Sequence, residues 1–301
     1  MHFGLNFGTT LYEYSPKEQL AIALKAEECG FDSIWAGDHL IVPKVIPPRE
    51  MTNLDLPVRK VDPRSPTARP VFEADAPMPD IFMVFAFLAA VTSRISFGSA
   101  VYILPVRHPI VSARGIGTLD VLSGGRTYFG VGAGWLPDEF EIAGEDFGTR
   151  GRRMDECVRI IRELWEKEEP AYEGEFYSFP AARFEPKPVQ KPGPPILVGG
   201  DSEPALNRAA KLGDGWCGRT NTPAKLRERA EGLTALRRRY GRKTIPFIIQ
   251  SWMKPNDTAD HARALQDAGA TQLLVGMHAM KDFTKLCDEI ERFSESVINR
   301  L

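Results

Sequence analysis

The chain has 301 residues, 38 Lys and Arg against 40 Asp and Glu, and a formal net charge of −2. With 43% hydrophobic and 26% charged residues, it has the composition of an ordinary globular protein. The balanced charge argues against a nucleic-acid-binding surface. The one basic cluster, Leu236-Arg-Arg-Arg-Tyr240, is interpreted as a solvated helix end.

Cysteine usage and the N-terminal sequence indicate the cellular compartment. Cys29, Cys157, Cys217 and Cys287 are far apart and form no CxxC or metal-binding spacing, which is typical of reduced thiols in the cytosol. The opening sequence MHFGLNFG lacks the pattern of a signal peptide, and no apolar run reaches the roughly 18 residues of a membrane helix. We expect a soluble cytoplasmic protein without a metal site.

Short β-rich segments alternate with longer helical patterns along the chain. In chain order, the predicted strands cover residues 3–7, 32–36, 95–104, 126–131, 195–198, 216–217, 247–252 and 272–275. The predicted helices cover residues 16–29, 80–91, 110–122, 152–165, 204–212, 224–240, 259–268 and 281–298. Such alternation predicts a parallel sheet, and eight units favour a single-domain (β/α)8 TIM barrel over residues 1–301, with a doubly wound open sheet as the alternative.

Two segments interrupt this alternation. Residues 40–79 contain nine of the 24 prolines and no periodicity, so they are predicted to form a long insertion after the second strand. Their basic residues fit either a substrate lid or solvated coil. These are Lys44, Arg49, Arg59, Lys60, Arg64 and Arg69. Residues 173–189 are predicted to form a hairpin excursion before the fifth strand.

The second predicted strand ends in the stretch WAGDHL, which places Asp38 and His39 where an apolar segment stops. In a (β/α)8 barrel, functional groups lie at the C-terminal ends of the strands. Histidine is the side chain best able to exchange a proton near neutral pH. The pair either closes the strand structurally or carries chemistry, and its place next to the long insertion favours chemistry.

The third and fourth strands end in small residues. Gly98-Ser99-Ala100 would let a flat group approach the backbone, whereas His108 before Pro109 indicates a helix entry rather than a catalytic residue. GVGAGW, residues 130–135, contains a G-x-G-x-G run, but a dinucleotide-binding fingerprint needs a helix directly after the strand. The glycines are therefore interpreted as room for a ligand.

The fifth strand ends in Gly199-Gly200-Asp201-Ser202, followed by Pro204. Two residues without a Cβ before an Asp or Ser N-cap form a helix N-terminus that can receive an anion. A phosphate site is favoured there over a simple tight turn. Asp201 would oppose an anion unless it turns away to cap the helix.

Together these strand ends resemble the luciferase-like monooxygenase superfamily, and especially its deazaflavin (coenzyme F420)-dependent oxidoreductase branch. The resemblance covers most of residues 1–218. The matching segments are GFDSIWAGDH, ILPVRHPIVSARGIGTLDVLSGGRTYFGVGAGW, EGEFYSF, FEPKPVQKPGPPILVGGDS and AAKLGDGW.

The resemblance implies a tricyclic cofactor ring in the mouth of the barrel. It implies that His39 is the catalytic residue that handles a proton, and that a non-prolyl cis peptide bond joins Ala100 and Val101 behind the ring. It also implies a homodimer formed through the second and third helices, where Gly115 and Gly117 would permit close approach. The residues expected to bind the cofactor are Asp38, Ala100, Val101, Gly134, Trp135, Gly199, Gly200 and Asp201.

The resulting functional hypothesis is hydride transfer between reduced F420 and a small organic substrate. One alternative is an FMN-dependent monooxygenase of the same fold that uses a separate flavin reductase. A second alternative, a flavin-binding protein without turnover, is disfavoured because storage requires no positioned imidazole.

Overall fold

A computed structural model describes residues 1–44, 49–50, 68–69, 75–278 and 280–301. Its centre is a closed barrel of eight parallel strands. Every strand pairs with both neighbours, β1 with β8 included, so the barrel prediction is confirmed over the open sheet. The strands are β1 His2–Asn6, β2 Ser33–Ala36, β3 Ser96–Ser99, β4 Thr127–Gly132, β5 Ile196–Gly199, β6 Gly215–Cys217, β7 Ile248–Met253 and β8 Gln272–Gly276.

Helices follow the strands and cover the barrel, and none in the described ranges is long and apolar enough to cross a bilayer. Their starts follow sequence signals. Before α1, Ser15 and Glu18 form a capping box with Pro16 at the first helical position. The helices are α1 Pro16–Glu28, α2 Ile81–Ala89, α3 Pro109–Ser123, α4 Pro137–Ile142, α5 Arg150–Glu166, α6 Glu203–Leu212, α7 Pro223–Arg239, α8 Ala259–Asp267 and α9 Phe283–Ser296.

The structure differs from the prediction between the third strand and α5. The third strand stops at Ser99; a two-residue strand, Tyr102–Ile103, and a 3-10 turn, Leu104–Val106, take the place of its predicted end. Helix α4 was not predicted, because six residues are too few for a helical hydrophobic period to show.

Trp35 fills the interior of the barrel. It is fully buried, its ring is stacked on Tyr128 with centroids 5.4 Å apart, and its Nε1–H donates to Ser33 Oγ at 2.7 Å. A Cβ on Gly98 would lie 2.3 Å from the Trp35 ring. The flat group that approaches Gly98 is therefore this chain's own tryptophan.

The two interruptions in the alternation are only partly described. Tyr172–Glu173 pairs antiparallel with Ser178–Phe179, which confirms a hairpin that is shorter than the predicted 173–189. In the insertion, Arg49–Glu50 pairs with Ala68–Arg69. Three of the basic residues for which a lid and solvated coil were both left open, Arg59, Lys60 and Arg64, lie outside the described residues.

Two charged side chains fix the N-terminal end of the barrel near β3 and β4. The Arg126 guanidinium donates to the carbonyls of Ala89, Thr92, Ile95 and Ser123. It therefore joins the end of α2, the end of α3 and the start of β3. The Glu27 carboxylate accepts the N–H groups of residues 93, 94 and 95.

Candidate active site at the C-terminal end of the barrel

His39 lies directly after β2 and is 8% exposed. Its Nδ1 is 2.9 Å from Oε2 of Glu139, which is fully buried on α4. The other oxygen of Glu139 accepts the Leu40 N–H at 2.7 Å. One carboxylate thus fixes both the imidazole and the backbone next to it, so His39 is a buried histidine with a defined ring orientation.

Glu139 is a site residue that the sequence analysis missed. A signal was present: Pro137 followed by Asp138 and Glu139 is the composition of a helical first turn. That signal would have predicted α4, but the pairing of Glu139 with a histidine 100 positions away follows only from the closed barrel.

Asp38 forms the other side of this strand end. Its carboxylate oxygens accept from Nη1 and Nη2 of Arg107 at 2.7 and 2.8 Å, and Oδ2 also accepts the Ile103 N–H at 3.2 Å. Burial raises the pKa of Asp38, and the Arg107 guanidinium acts against that rise. These bonds account for the buried carboxylate, whereas a contact between Asp38 and a cofactor stays a prediction.

Trp135 contacts the same histidine, and Gly134 precedes Trp135 in the chain. The Trp135 ring meets the His39 ring edge-on, with centroids 5.8 Å apart and planes at 90°. Gly134 has φ +80°, and a Cβ there would lie 2.6 Å from Phe140 on α4. Gly134 therefore lets α4 pack closely, which is how Glu139 reaches His39.

The peptide bond between Ala100 and Val101 is cis, as expected from the resemblance. The Val101 side chain packs against the ends of β4 and β5: a Cβ on Gly132 would lie 2.5 Å from Val101, and one on Gly199 would lie 2.7 Å from it. The interpretation of the strand-end glycines as room for a ligand is therefore wrong at Gly132, where Val101 takes the space.

The turn after β5 is built by Gly200, whose φ of +110° favours glycine. Trp216 Nε1–H donates to the Gly200 carbonyl at 2.9 Å. Ser202, not Asp201, caps α6, because its hydroxyl accepts the Ala205 N–H. Asp201 lies close enough to Arg219 for its charge to raise the pKa of that guanidinium against the larger lowering effect of burial.

The sequence did not predict a second group of side chains at the mouth, because Arg219, Trp252 and His278 follow one another at no recognisable motif spacing. Arg219 and Thr220 follow β6, Trp252 lies at the end of β7, and His278 follows β8. The Arg219 guanidinium lies over the Trp252 ring at 5.7 Å, and the rings of Trp252 and His278 are 5.5 Å apart.

His108, the remaining candidate at the strand ends, has a structural role. His108 is the N-cap of α3, and its Nδ1 accepts the Ile110 N–H, as the sequence indicated. The described residues contain no cluster of three or more His, Cys, Asp or Glu side chains that could hold a metal ion.

A family model described as luciferase-like monooxygenase matches residues 1–296. An uncharacterised protein of Mycobacterium tuberculosis is 35% identical over 247 residues, which cover 79% of this chain and 84% of that protein. An F420-dependent glucose-6-phosphate dehydrogenase of Kineococcus radiotolerans is 29% identical and covers 70% of this chain and 55% of its own. An FMNH2-dependent dimethylsulfone monooxygenase of Pseudomonas putida is 27% identical, with coverages of 64% and 53%.

Two solved structures share the fold. A monooxygenase of Streptomyces bottropensis has a TM-score of 0.72 and 21% identity, and the alignment covers 100% of this chain and 99% of that chain. An F420-dependent secondary alcohol dehydrogenase in complex with an F420–acetone adduct has a TM-score of 0.75 and 17% identity, with coverages of 99% and 98%.

Proposed function

The chain belongs to the luciferase-like monooxygenase family, and from that premise we propose an oxidoreductase that transfers a hydride between reduced coenzyme F420 and a small organic substrate. His39 handles the accompanying proton. The observation that carries this proposal is the buried pair of His39 and Glu139 at the C-terminal end of β2. A positioned imidazole at a barrel mouth supports proton transfer.

Within this proposal the chain's own residues position and exchange the proton. Because Nδ1 of His39 is bonded to Glu139, proton exchange with the substrate falls to Nε2. The Glu139 carboxylate fixes the ring and stabilises the imidazolium that forms when Nε2 accepts a proton, as the buried Asp does in a catalytic triad. The hydride itself is supplied by the cofactor.

Several described residues are suited to hold such a cofactor. Ala100, Val101, Gly134 and Trp135 would border its ring beside His39, and the turn at Gly199 and Gly200 would face its phosphate, while the charge of Asp201 acts on Arg219. A buried donor supports a polar ligand in the mouth: Nδ2 of Asn6 has no hydrogen-bond partner within the described residues. An unpaired buried donor costs about 1–3 kcal/mol, so a bound ligand that accepts from it would be stabilised.

The alternative is an FMN-dependent monooxygenase that receives reduced flavin from a separate reductase. The relative named for FMNH2 is nearly as similar to this chain as the relative named for F420, at 27% against 29% identity. Both cofactors carry a phosphate and a tricyclic ring, so the same pocket residues would serve either one.

Titration of the apoprotein with F420 and with FMN distinguishes the two. We expect F420 to bind more tightly. FMN affinity at least tenfold higher than that for F420, equivalent to about 1.4 kcal/mol, would overturn the preference. The absorption spectrum and mass of the cofactor that copurifies from a host producing both provide an independent check.

A further inference from the structure

Arg219 lies across the mouth from the proton-handling group of the proposed function, on which this inference rests. His39 follows β2 and Arg219 follows β6, and these strands are four apart in either direction around the closed barrel. Side chains at two opposite strand ends of an eight-stranded barrel face the same opening. A substrate held near His39 could therefore extend toward Arg219.

No described ion pair includes Arg219, and the one described carboxylate whose charge acts on its guanidinium is Asp201. The Nε of Arg219 is buried without a hydrogen-bond partner in the described chain. The guanidinium lies over the Trp252 ring at 5.7 Å, so its plane has an aromatic support. A buried guanidinium with an unused donor is costly, and a bound anion would add hydrogen bonds that the charge of Asp201 alone does not supply.

Thr220, which directly follows Arg219 in the chain, carries a hydroxyl. Thr220 is 3% exposed, and its Oγ1 has no hydrogen-bond partner within the described chain. The Thr220 backbone is fixed, because its carbonyl accepts the Trp252 N–H at 3.1 Å and the Ser251 hydroxyl at 2.7 Å. A guanidinium and a hydroxyl on consecutive residues of a fixed backbone are the kinds of donor that a carboxylate or phosphate accepts.

We propose that Arg219 and Thr220 bind the oxyanion of an anionic substrate, so that the substrate class is small organic carboxylates or phosphates. The guanidinium would donate two N–H groups and Thr220 one O–H, while the opposite end of the molecule lies at His39. The cofactor phosphate has the same chemistry, and its proposed place at Gly199 and Gly200 is only one strand away. The experiment must therefore separate the two sources.

The first measurement is thermal stabilisation by inorganic phosphate against chloride at constant ionic strength, with and without saturating cofactor. We expect phosphate to stabilise the wild type even when cofactor is bound. The apparent phosphate affinity should fall at least tenfold in Arg219→Met, because hydrogen bonds to charged groups are lost. Arg227→Met, at an exposed arginine on α7, is the matched control and should keep the response.

Arg219→Lys provides a second variant if Arg219→Met folds poorly. It keeps the charge but loses the planar fork, so its phosphate affinity should lie between those of the wild type and Arg219→Met. An unchanged phosphate response in both variants would overturn the oxyanion site, as would a wild type without any response. Thermal stabilisation by phosphate is also measured on the apoprotein. If neither cofactor binds, the proposed function is refuted, but the phosphate response of the apoprotein still tests the oxyanion site.

The second measurement separates substrate from cofactor by comparing FMN with riboflavin, which lacks the phosphate. If Arg219 serves the substrate, Arg219→Met should change both affinities by the same small factor. A loss of at least tenfold for FMN with riboflavin unchanged would assign Arg219 to the cofactor phosphate and overturn the inferred substrate class.

Discussion

At the scale of single residues, the site depends on one carboxylate that orients one imidazole. His39 could be predicted from the sequence, because it directly follows an apolar strand that must end at the barrel mouth. Glu139 could not, because its role depends on α4 lying against the end of β2. The sequence shows which residues end strands, but not which side chains meet there.

We expect His39→Ala to lower turnover by about 10²–10⁴-fold with little change in cofactor affinity, because a positioned general acid or base contributes that order. Glu139→Gln should lower turnover by about tenfold or more, because it weakens the fixed orientation of the ring. Single-turnover hydride-transfer rates at saturating cofactor provide the measurement.

The double variant of His39→Ala and Glu139→Gln tests whether Glu139 acts through the histidine. Residues that act as a unit are not additive, so the double variant should be no slower than His39→Ala alone. A further loss of the full single-variant factor would show that Glu139 has a separate role. Unchanged turnover in His39→Ala would show that His39 has no catalytic role and only closes the strand.

Glu27 gives a prediction about stability and pH. Burial acts to raise its pKa, but hydrogen bonds from the N–H groups of Ile95, Arg94 and Ser93 hold it at about 2, below the unfolded value of 4.5. Its contribution to stability is therefore complete above pH 4.5 and is lost as the pH falls toward 2.

Glu27→Gln should lower the free energy of unfolding at pH 7 by about 1 kcal/mol, a value reduced for solvent screening. The difference from the wild type should shrink as the pH falls below 4.5, as measured by urea unfolding across that range. Glu28→Gln, at the exposed neighbouring position, should show no such trend. A pH-independent difference for Glu27→Gln would contradict the assignment.

At the scale of elements, the strand and helix pattern predicted the eight barrel units because each strand is apolar and each long helix has its own period. The pattern failed at α4, which is short, and at the end of β3, where an apolar run read as one strand is divided by a bend. The sequence showed the turn Ser123-Gly124-Gly125-Arg126. It did not show the hydrogen bonds of Arg126, because their five acceptor groups lie in three separate parts of the fold.

Arg126→Met should destabilise the protein by about 2 kcal/mol or more, because the carbonyls at the ends of α2 and α3 lose their donor. The N-terminal end of a barrel carries stability rather than catalysis, so turnover at 25 °C should stay near that of the wild type. Urea unfolding and steady-state rates measure the two effects. Arg94→Met, at a nearby exposed arginine, is the control and should cost much less; equal losses would refute the role of Arg126.

At the scale of the whole molecule, close approach of a partner at Gly115 does not support the predicted homodimer, but another feature of the same helices does. The space beside Gly115 is filled by the same chain, because a Cβ there would lie 2.6 Å from Phe82. The outer face of α2 and α3 is nevertheless apolar and exposed. Its side chains are Met83, Phe87, Val111 and Leu122, with exposed fractions of 67%, 43%, 65% and 65%.

Because exposed apolar patches of this kind mark interfaces, we expect a dimer through this face. Sedimentation at micromolar concentration should give a dimer for the wild type and a monomer for the combined variant of Met83→Lys and Leu122→Lys. Ile245→Lys, at an exposed apolar residue before β7, should remain dimeric. A monomeric wild type would exclude the dimer.

The Val101 side chain has an evolutionary consequence. It occupies the space beside Gly132 on β4 and Gly199 on β5, so the residues allowed at these three positions depend on one another. A homologue with alanine at 132 or 199 should carry a smaller residue at 101, and one with a larger residue at 101 should keep both glycines. Among related sequences, positions 101, 132 and 199 should therefore covary as a triplet, although they belong to three separate segments of the chain.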